Sequence, residues 1–395
     1  MIVVRGGDLI LPARIVAGGS VVVDDGRIVA IEEGPADPAG ASVIDARGCY
    51  VSPGFIDVHL HGLHGDDVLD GEGAVARVAQ RLPQYGVTAF CPTSVACPPD
   101  VLSGFLRQVG ELRLAPLAAG GARVLPAHLE SNFISPDFAG AQPVACLRLP
   151  PDASRGVEGE FSGRDVLDVV EAARPDVGIV TLAPELPGGL DLVRALAAAG
   201  HHVSLGHSAA DFDTAMAAIE AGARQATHLF NRMSPMSHRA PGLTGAVLGS
   251  DDVVAELICD GHHVHPAACR VAMAAKGPAG VMAITDATAG AGLSAGATAR
   301  LGGQPIHVRA EAAFLEDGTL AGSTLTMDRA FAAIVTRFGG SLVDAALMCA
   351  TTPARALGLT GFGVIADGAA ADLLVLDGAF RVRHTLVGGA HAFRA

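Results

Sequence analysis

Pro53-Gly54-Phe55-Ile56-Asp57-Val58-His59-Leu60-His61-Gly62 is the stretch on which the rest of the chain is organised. An apolar run ends in two histidines two residues apart, and side chains at i and i+2 of a strand point the same way. Both imidazoles can therefore reach one metal ion, and a pair fixed on a strand has little side-chain freedom left to lose. The same spacing also occurs on ordinary surface strands, so the remainder of the chain has to decide the reading.

Downstream of Gly62 the chain alternates apolar strands with amphipathic or Ala-rich helices. Eight candidate strands appear, at 55–61, 87–93, 123–130, 177–184, 202–207, 225–230, 254–260 and 281–286, with helical stretches such as 74–85, 165–173, 190–199, 211–221 and 267–276 among them. Eight βα units predict a (β/α)₈ TIM-like barrel over residues 52–359. An open doubly wound sheet is the alternative, but no glycine-rich nucleotide-binding turn succeeds the first strand. The two chain ends read differently, as short strands and turns: Ile2-Val4, Ser20-Val23, Arg27-Ile31 and Ser42-Asp45, then Gly363-Ile365, Ala371-Asp377 and Arg381-Gly389. Residues 1–51 and 360–395 are expected to meet in one small β-sandwich domain, with the barrel inserted between them.

A barrel carries its chemistry where its strands end. Here the first strand ends in His59 and His61, the third in His128-Leu129-Glu130, the fifth in Gly206-His207-Ser208, the sixth in Thr227-His228 and the eighth in Thr285-Asp286. Strand after strand ends in a ligand-type residue. His128 reads as a satisfied core histidine or a supporting group. His201, His202, His238, His307, His384 and His391 lack such a context and read as surface residues, and Cys259 reads as a buried strand residue.

Composition bounds the rest. The 395 residues are half hydrophobic and carry a formal net charge of −14, which argues against a nucleic-acid surface, because phosphate binding needs concentrated Lys and Arg. Seven cysteines, an odd number without CxxC pairs, look like reduced thiols. No basic segment with a long apolar run opens the chain, and no apolar stretch is long enough for a membrane helix, so a cytoplasmic protein is expected.

Together these stretches resemble the amidohydrolase superfamily and, within it, the N-acetylglucosamine-6-phosphate deacetylase family. The matching motifs are Pro53-Gly54-Phe55-Ile56-Asp57-x-His59-x-His61-Gly62, His128-Leu129-Glu130, Thr181-Leu182-Ala183-Pro184-Glu185, Gly206-His207-Ser208, Ala226-Thr227-His228-Leu229-Phe230-Asn231, Pro241-Gly242-Leu243, Ile258 through Pro266, and Thr285-Asp286-Ala287. The resemblance implies that Glu130, His207 and His228 bind an essential divalent metal (zinc, iron or manganese). It also implies that His59 and His61 bring a second ion, and that Asp286 is the general base and acid. Asn231, Arg239 and His263 match substrate-binding positions, the arginine reaching the sugar phosphate of a neighbouring subunit, so a homodimer is implied. The expected reaction is hydrolysis of the N-acetyl group of N-acetylglucosamine 6-phosphate.

Three departures bear on that expectation. Ser131-Asn132 stand where the family usually has Gly-Pro, and Gln142 stands where a histidine usually contacts the substrate near the acyl group. Gln can donate a hydrogen bond but cannot become a cation. Arg232 replaces a small residue beside the expected phosphate pocket, where it either binds an anion or fills space. Deacylation of a different N-acyl amino sugar, opening of a cyclic amide, and a non-catalytic sugar-phosphate-binding role are the alternatives.

Overall fold

The computed structural model describes residues 1–117, 120–151, 159–309 and 312–395. Its centre is a parallel barrel of eight strands: β1 (Phe55–Leu60), β2 (Val87–Ser94), β3 (Ala127–Glu130), β4 (Val177–Leu182), β5 (His202–Leu205), β6 (Gln225–Ala226), β7 (Val254–Ile258) and β8 (Val281–Ile284). Each pairs in parallel with the next, for example Ile56 with Ala89, His128 with Ile179, Ser204 with Gln225 and Ala255 with Val281. The ring closes just past the strand ends, where Leu60 bridges Ala287 and the Asp286 amide donates to the His59 carbonyl at 2.9 Å. Strands buried on both faces read as continuous apolar runs, and β1, β2 and β8 are buried at every position.

The helices lie outside the barrel and bury their apolar faces against it. Helix 163–172 starts on a capping box in which Ser162 and Asp165 satisfy each other's backbone, and Asp211 caps helix 212–220 by accepting from the Thr214 amide. The helix expected over 74–85 stops at Arg81, because Pro83 tightens the next residues into a 3₁₀ turn that Gly86 ends at φ 80°.

The chain ends form a separate sheet-rich domain. In its eight-stranded sheet, Leu373–Leu376 lies antiparallel to Tyr50–Pro53, which in turn lies parallel to Ile2–Ile10, so neither terminus completes the sheet alone. Val4, Leu9, Val21, Ile28, Val51, Leu373 and Leu386 share one core. A further four-stranded antiparallel sheet, 298–323, comes after β8. Its strands are short, and it is not among the elements expected from the sequence.

His201 corrects an expectation: it is buried, and its Nδ1 donates to the Val177 carbonyl at 3.0 Å. It immediately precedes β5, where an imidazole can satisfy the open end of the neighbouring strand. His238 and His391 are exposed, and His202, His307 and His384 are half-buried. His128 is buried and fully partnered, by the Val58 carbonyl at 2.9 Å and Thr181 Oγ1 at 2.8 Å. Cys259 is buried, and burial pushes its thiol up. Among the described residues no helix is long and apolar enough to cross a membrane.

Gly54 is the joint between sheet and barrel. Its amide donates to the Asp372 carbonyl at 2.8 Å, and a Cβ there would fall 2.3 Å from Thr88 Oγ1 and Cγ2. Gly54→Ala should therefore lower stability by about 1–3 kcal/mol, the usual cost of overpacking, as measured by denaturant unfolding. An unchanged midpoint would show that Thr88 yields freely.

Candidate metal centre and substrate cavity

Three consecutive inward positions of the first strand and its exit, Asp57, His59 and His61, put one carboxylate and two imidazoles inside the barrel. Each ring is then oriented by what its Nδ1 meets. His59 Nδ1 lies 2.9 Å from Glu256 Oε2, His61 Nδ1 2.9 Å from the Thr93 carbonyl, and His207 Nδ1 2.7 Å from the Phe138 carbonyl. A carbonyl can only accept, so His61 and His207 carry the proton on Nδ1 and present an Nε2 lone pair to the site.

Those lone pairs converge. His207 Nε2 and His228 Nε2 are 3.0 Å apart and lie 2.7 and 2.8 Å from Glu130 Oε1. Beside them, His59 Nε2 and His61 Nε2 are 3.2 Å apart and lie 3.6 and 3.3 Å from Asp286 Oδ1, while His61 Nε2 is 3.5 Å from Glu130 Oε2. Facing acceptors repel unless a proton or a cation sits between them. Nitrogen and carboxylate oxygen donors are what a divalent transition metal takes, so both groups, Glu130/His207/His228 and His59/His61/Asp286, fit a metal site.

The backbone is bent to make this happen. His207, His228 and Asp286 take φ of 46°, 31° and 49°, and Phe230 and Arg232 take 78° and 49°. Non-glycine residues in this region cost on the order of 1 kcal/mol or more each, and they persist where the surroundings over-determine them. Here the strand exits are held by hydrogen bonds such as Ser135 to the His207 carbonyl at 2.9 Å and Ser323 to the Asp286 carbonyl at 2.7 Å.

Electrostatics reflect the same crowding. Burial acts against charge on His61 and His228, but Asp286 and Glu130 outweigh it and raise both to about 9. His59 has no such surplus, and burial takes it down to about 4. Burial alone would raise Glu130 and Asp286, yet the surrounding imidazoles hold both below the usual carboxylate range.

A cavity of about 420 Å³ opens above the two groups. His61, Glu130, His207, His228 and Asp286 are on its lining, as are Gln142, Asn231, Arg232 and His263. His263 donates from Nδ1 to Asp260 Oδ2 at 2.6 Å, which leaves its buried Nε2 unpartnered. Arg232 reaches across to Gly140, where a Cβ would stand 2.9 Å from its Nε. Arg239 is exposed and is not among the lining residues.

The departures in sequence separate into two kinds. Ser131 Oγ donates to the Thr181 carbonyl at 2.5 Å, and Asn132 Nδ2 donates to the carbonyls of Cys97 and Cys146 at 2.9 and 2.7 Å. Both brace the loop beneath the cavity and neither lines it. Gln142 does line it. Its Oε1 accepts from the Ala96 amide at 2.8 Å, which forces its NH₂ toward Glu130 Oε2, to which it donates.

Sequence reasoning missed Glu256 and Asp57, both fully buried carboxylates, and the cavity wall from the inserted sheet, Leu301, Leu320 and Gly322. A glutamate inside the apolar run Val254-Ala255-Glu256-Leu257-Ile258 was the available signal, since a buried unpaired carboxylate needs a reason.

The amidohydrolase family profile matches residues 50–393. An N-acetylglucosamine-6-phosphate deacetylase of Bos taurus is 39% identical over 98% of this chain and 93% of its own length, and one of Bacillus subtilis is 34% identical over 96% and 94%. Among solved structures, a D267A mutant of N-acetyl-D-glucosamine-6-phosphate deacetylase from Mycobacterium smegmatis, in complex with N-acetyl-D-glucosamine-6-phosphate, aligns at TM-score 0.88 and 32% identity over 99% of both chains.

The raised histidines set a pH signature for the metal-stripped protein. A base whose folded pKa, about 9, exceeds its usual 6.5 stabilises the fold fully below 6.5 and loses that contribution as pH climbs through 9. The thermal midpoint of the stripped chain should therefore fall between those values, whereas the cation-loaded chain, whose ion replaces those protons, should not show this loss. Parallel profiles with and without cation would contradict the assignment.

Proposed function

The chain belongs to the amidohydrolase family, and from that premise we propose that it hydrolyses the N-acetyl group of N-acetylglucosamine 6-phosphate, releasing acetate and glucosamine 6-phosphate. One observation carries the reading: Glu130, His207 and His228 converge within 3.0 Å of one another, beside the Asp286 carboxylate, on the floor of the cavity. Zinc is the ion proposed for Glu130, His207 and His228, with a second ion at His59 and His61, since imidazole and carboxylate donors suit it. Held there, a divalent ion would supply Lewis acidity for the acyl carbonyl and for a water attacking near pH 7.

The chain's own residues do the rest. Asp286, kept ionised by its imidazole neighbours, takes the proton of the attacking water and delivers it to the amine nitrogen as the C–N bond breaks. Gln142, its amide fixed by Ala96 and Glu130, stands on the cavity wall at the proposed acyl end. Asn231, His263 and Arg232 bind the sugar phosphate; a guanidinium offers a phosphate two parallel donors. Arg239, exposed on its loop, is proposed to complete the pocket of a second copy in a homodimer.

A second reading, a different N-acyl amino sugar, is favoured specifically by Gln142, a non-titrating donor at the acyl end. Acetate release from N-acetylglucosamine 6-phosphate, its galacto epimer and the unphosphorylated sugar decides between them. Activity confined to the epimer, or to none of the three with metal bound, would overturn the main reading.

Asp286→Asn should cut turnover by about 10²- to 10⁴-fold. Arg232→Ala should raise KM for the phosphorylated sugar about tenfold, the loss of one charged hydrogen bond, with kcat and the unphosphorylated reaction little changed. An unaltered KM would make Arg232 a space-filling residue. Arg239→Ala should lose phosphate preference in a chain that stays folded, and full retention would remove the neighbour's contribution.

A further inference from the structure

We propose that Glu256 is the positioning residue that makes His59 a metal ligand. The inference rests on the metal-binding part of the proposed function and not on the substrate.

Glu256 sits at the middle of β7, and its side chain is fully buried. Taking a carboxylate out of water costs several kcal/mol unless it is paired and hydrogen-bonded. Among the described residues no Arg or Lys pairs with it; its ionic neighbours are the imidazoles of His59, at 2.9 Å, and His128, at 3.8 Å. His128 has both ring nitrogens committed elsewhere, to the Val58 carbonyl and Thr181 Oγ1. Among the described residues Glu256 Oε1 has no hydrogen-bond partner. The neighbouring buried acid, Asp57, is different: Thr285 Oγ1 at 2.5 Å, with the amides of Thr285 and His59 at 3.3 Å, satisfies both of its oxygens, so its role is to tie β1 to β8.

The remaining oxygen of Glu256 is held on two sides. The His228 amide donates to Oε2 at 3.2 Å and, as backbone, cannot swing away. That anchor fixes the carboxylate opposite His59 Nδ1, 2.9 Å off. A carboxylate there accepts a hydrogen bond from Nδ1–H, which leaves the lone pair on Nε2 and makes the ring a stronger donor. His59 Nε2 then faces His61 Nε2 and Asp286. A cation on His59 Nε2 would balance, through the ring, the charge of Glu256, which has no Arg or Lys beside it among the described residues.

The test measures metal, not turnover, so failure of the substrate assignment leaves it intact. The full chain, chelator-stripped, is titrated with zinc against a chromogenic competitor, and retained zinc is counted by mass spectrometry after gel filtration, for the wild type, Glu256→Gln, Glu256→Leu, His59→Asn and the Glu256→Gln/His59→Asn pair. Glu256→Gln keeps the shape and removes the charge. At least one zinc-binding constant should weaken about 10- to 100-fold, the usual size of such supporting contacts, with far-UV circular dichroism unchanged. In the His59→Asn background the same change should add less than about twofold, the margin expected when one residue acts through the other. Every constant staying within that margin of the wild type, or a fully additive loss in the double variant, would overturn the proposal. Should Glu256→Leu fail to fold, Glu256→Gln decides alone.

Discussion

The hydrogen bond from the Asp286 amide to the His59 carbonyl closes the barrel, and the chemistry of the site depends on that closure. A parallel sheet of eight strands has two open edges until its first and last strands meet, and unpaired edge groups inside a core are costly. Here the meeting point is also the catalytic end. Closing the ring sets the proposed base of the last strand against the two histidines of the first, with Asp286 Oδ1 3.3 Å from His61 Nε2. Loosening the joint would separate the base from the ligands as surely as removing either.

Around that joint the protein stores charge and strain where a stable core would hold neither. Glu130, Asp286, Glu256 and Asp57 are all buried within one barrel end, among the imidazoles of His59, His61, His128, His207 and His228. Left-handed backbone at His207, His228 and Asp286 adds to the cost. The apolar mantle of the barrel and the helices around it offset this, and a bound cation would relieve the mutual repulsion of the donors. Stability and function pull in opposite directions at this end of the barrel, as is usual where a site is organised ahead of its ligand.

The substrate shell is less constrained. The loop carrying Gln142 is braced by Asn132, which donates to the Cys146 carbonyl, and by the inserted sheet, whose Gln304 donates to the Ala141 carbonyl at 2.8 Å. The three departures from the family pattern are therefore unequal: Ser131-Asn132 are scaffold, Gln142 and Arg232 line the cavity, and of the latter two Gln142 bonds to Glu130, a proposed metal ligand. Arg232 is held near that loop by a glycine that leaves it room.

Sequence alone determined the barrel and the strand-end residues, because both are written in short-range patterns. Continuous apolar runs of β-strand length announce buried parallel strands, and a ligand-type residue at the ends of the first, third, fifth, sixth and eighth needs no knowledge of its neighbours. Residues 55–61 sufficed to align His59 and His61 on one face. Only the tertiary structure decided which donors meet, since Glu130, His207 and His228 are separated by up to 98 positions and come together through closure of the ring. It also decided the rotation of His59, His61 and His207, which depends on a carboxylate or carbonyl remote in sequence. The partner of Glu256 stayed illegible for the same reason: an acid in an apolar strand signals that something must meet it, but what meets it is settled only when the strand opposite is known.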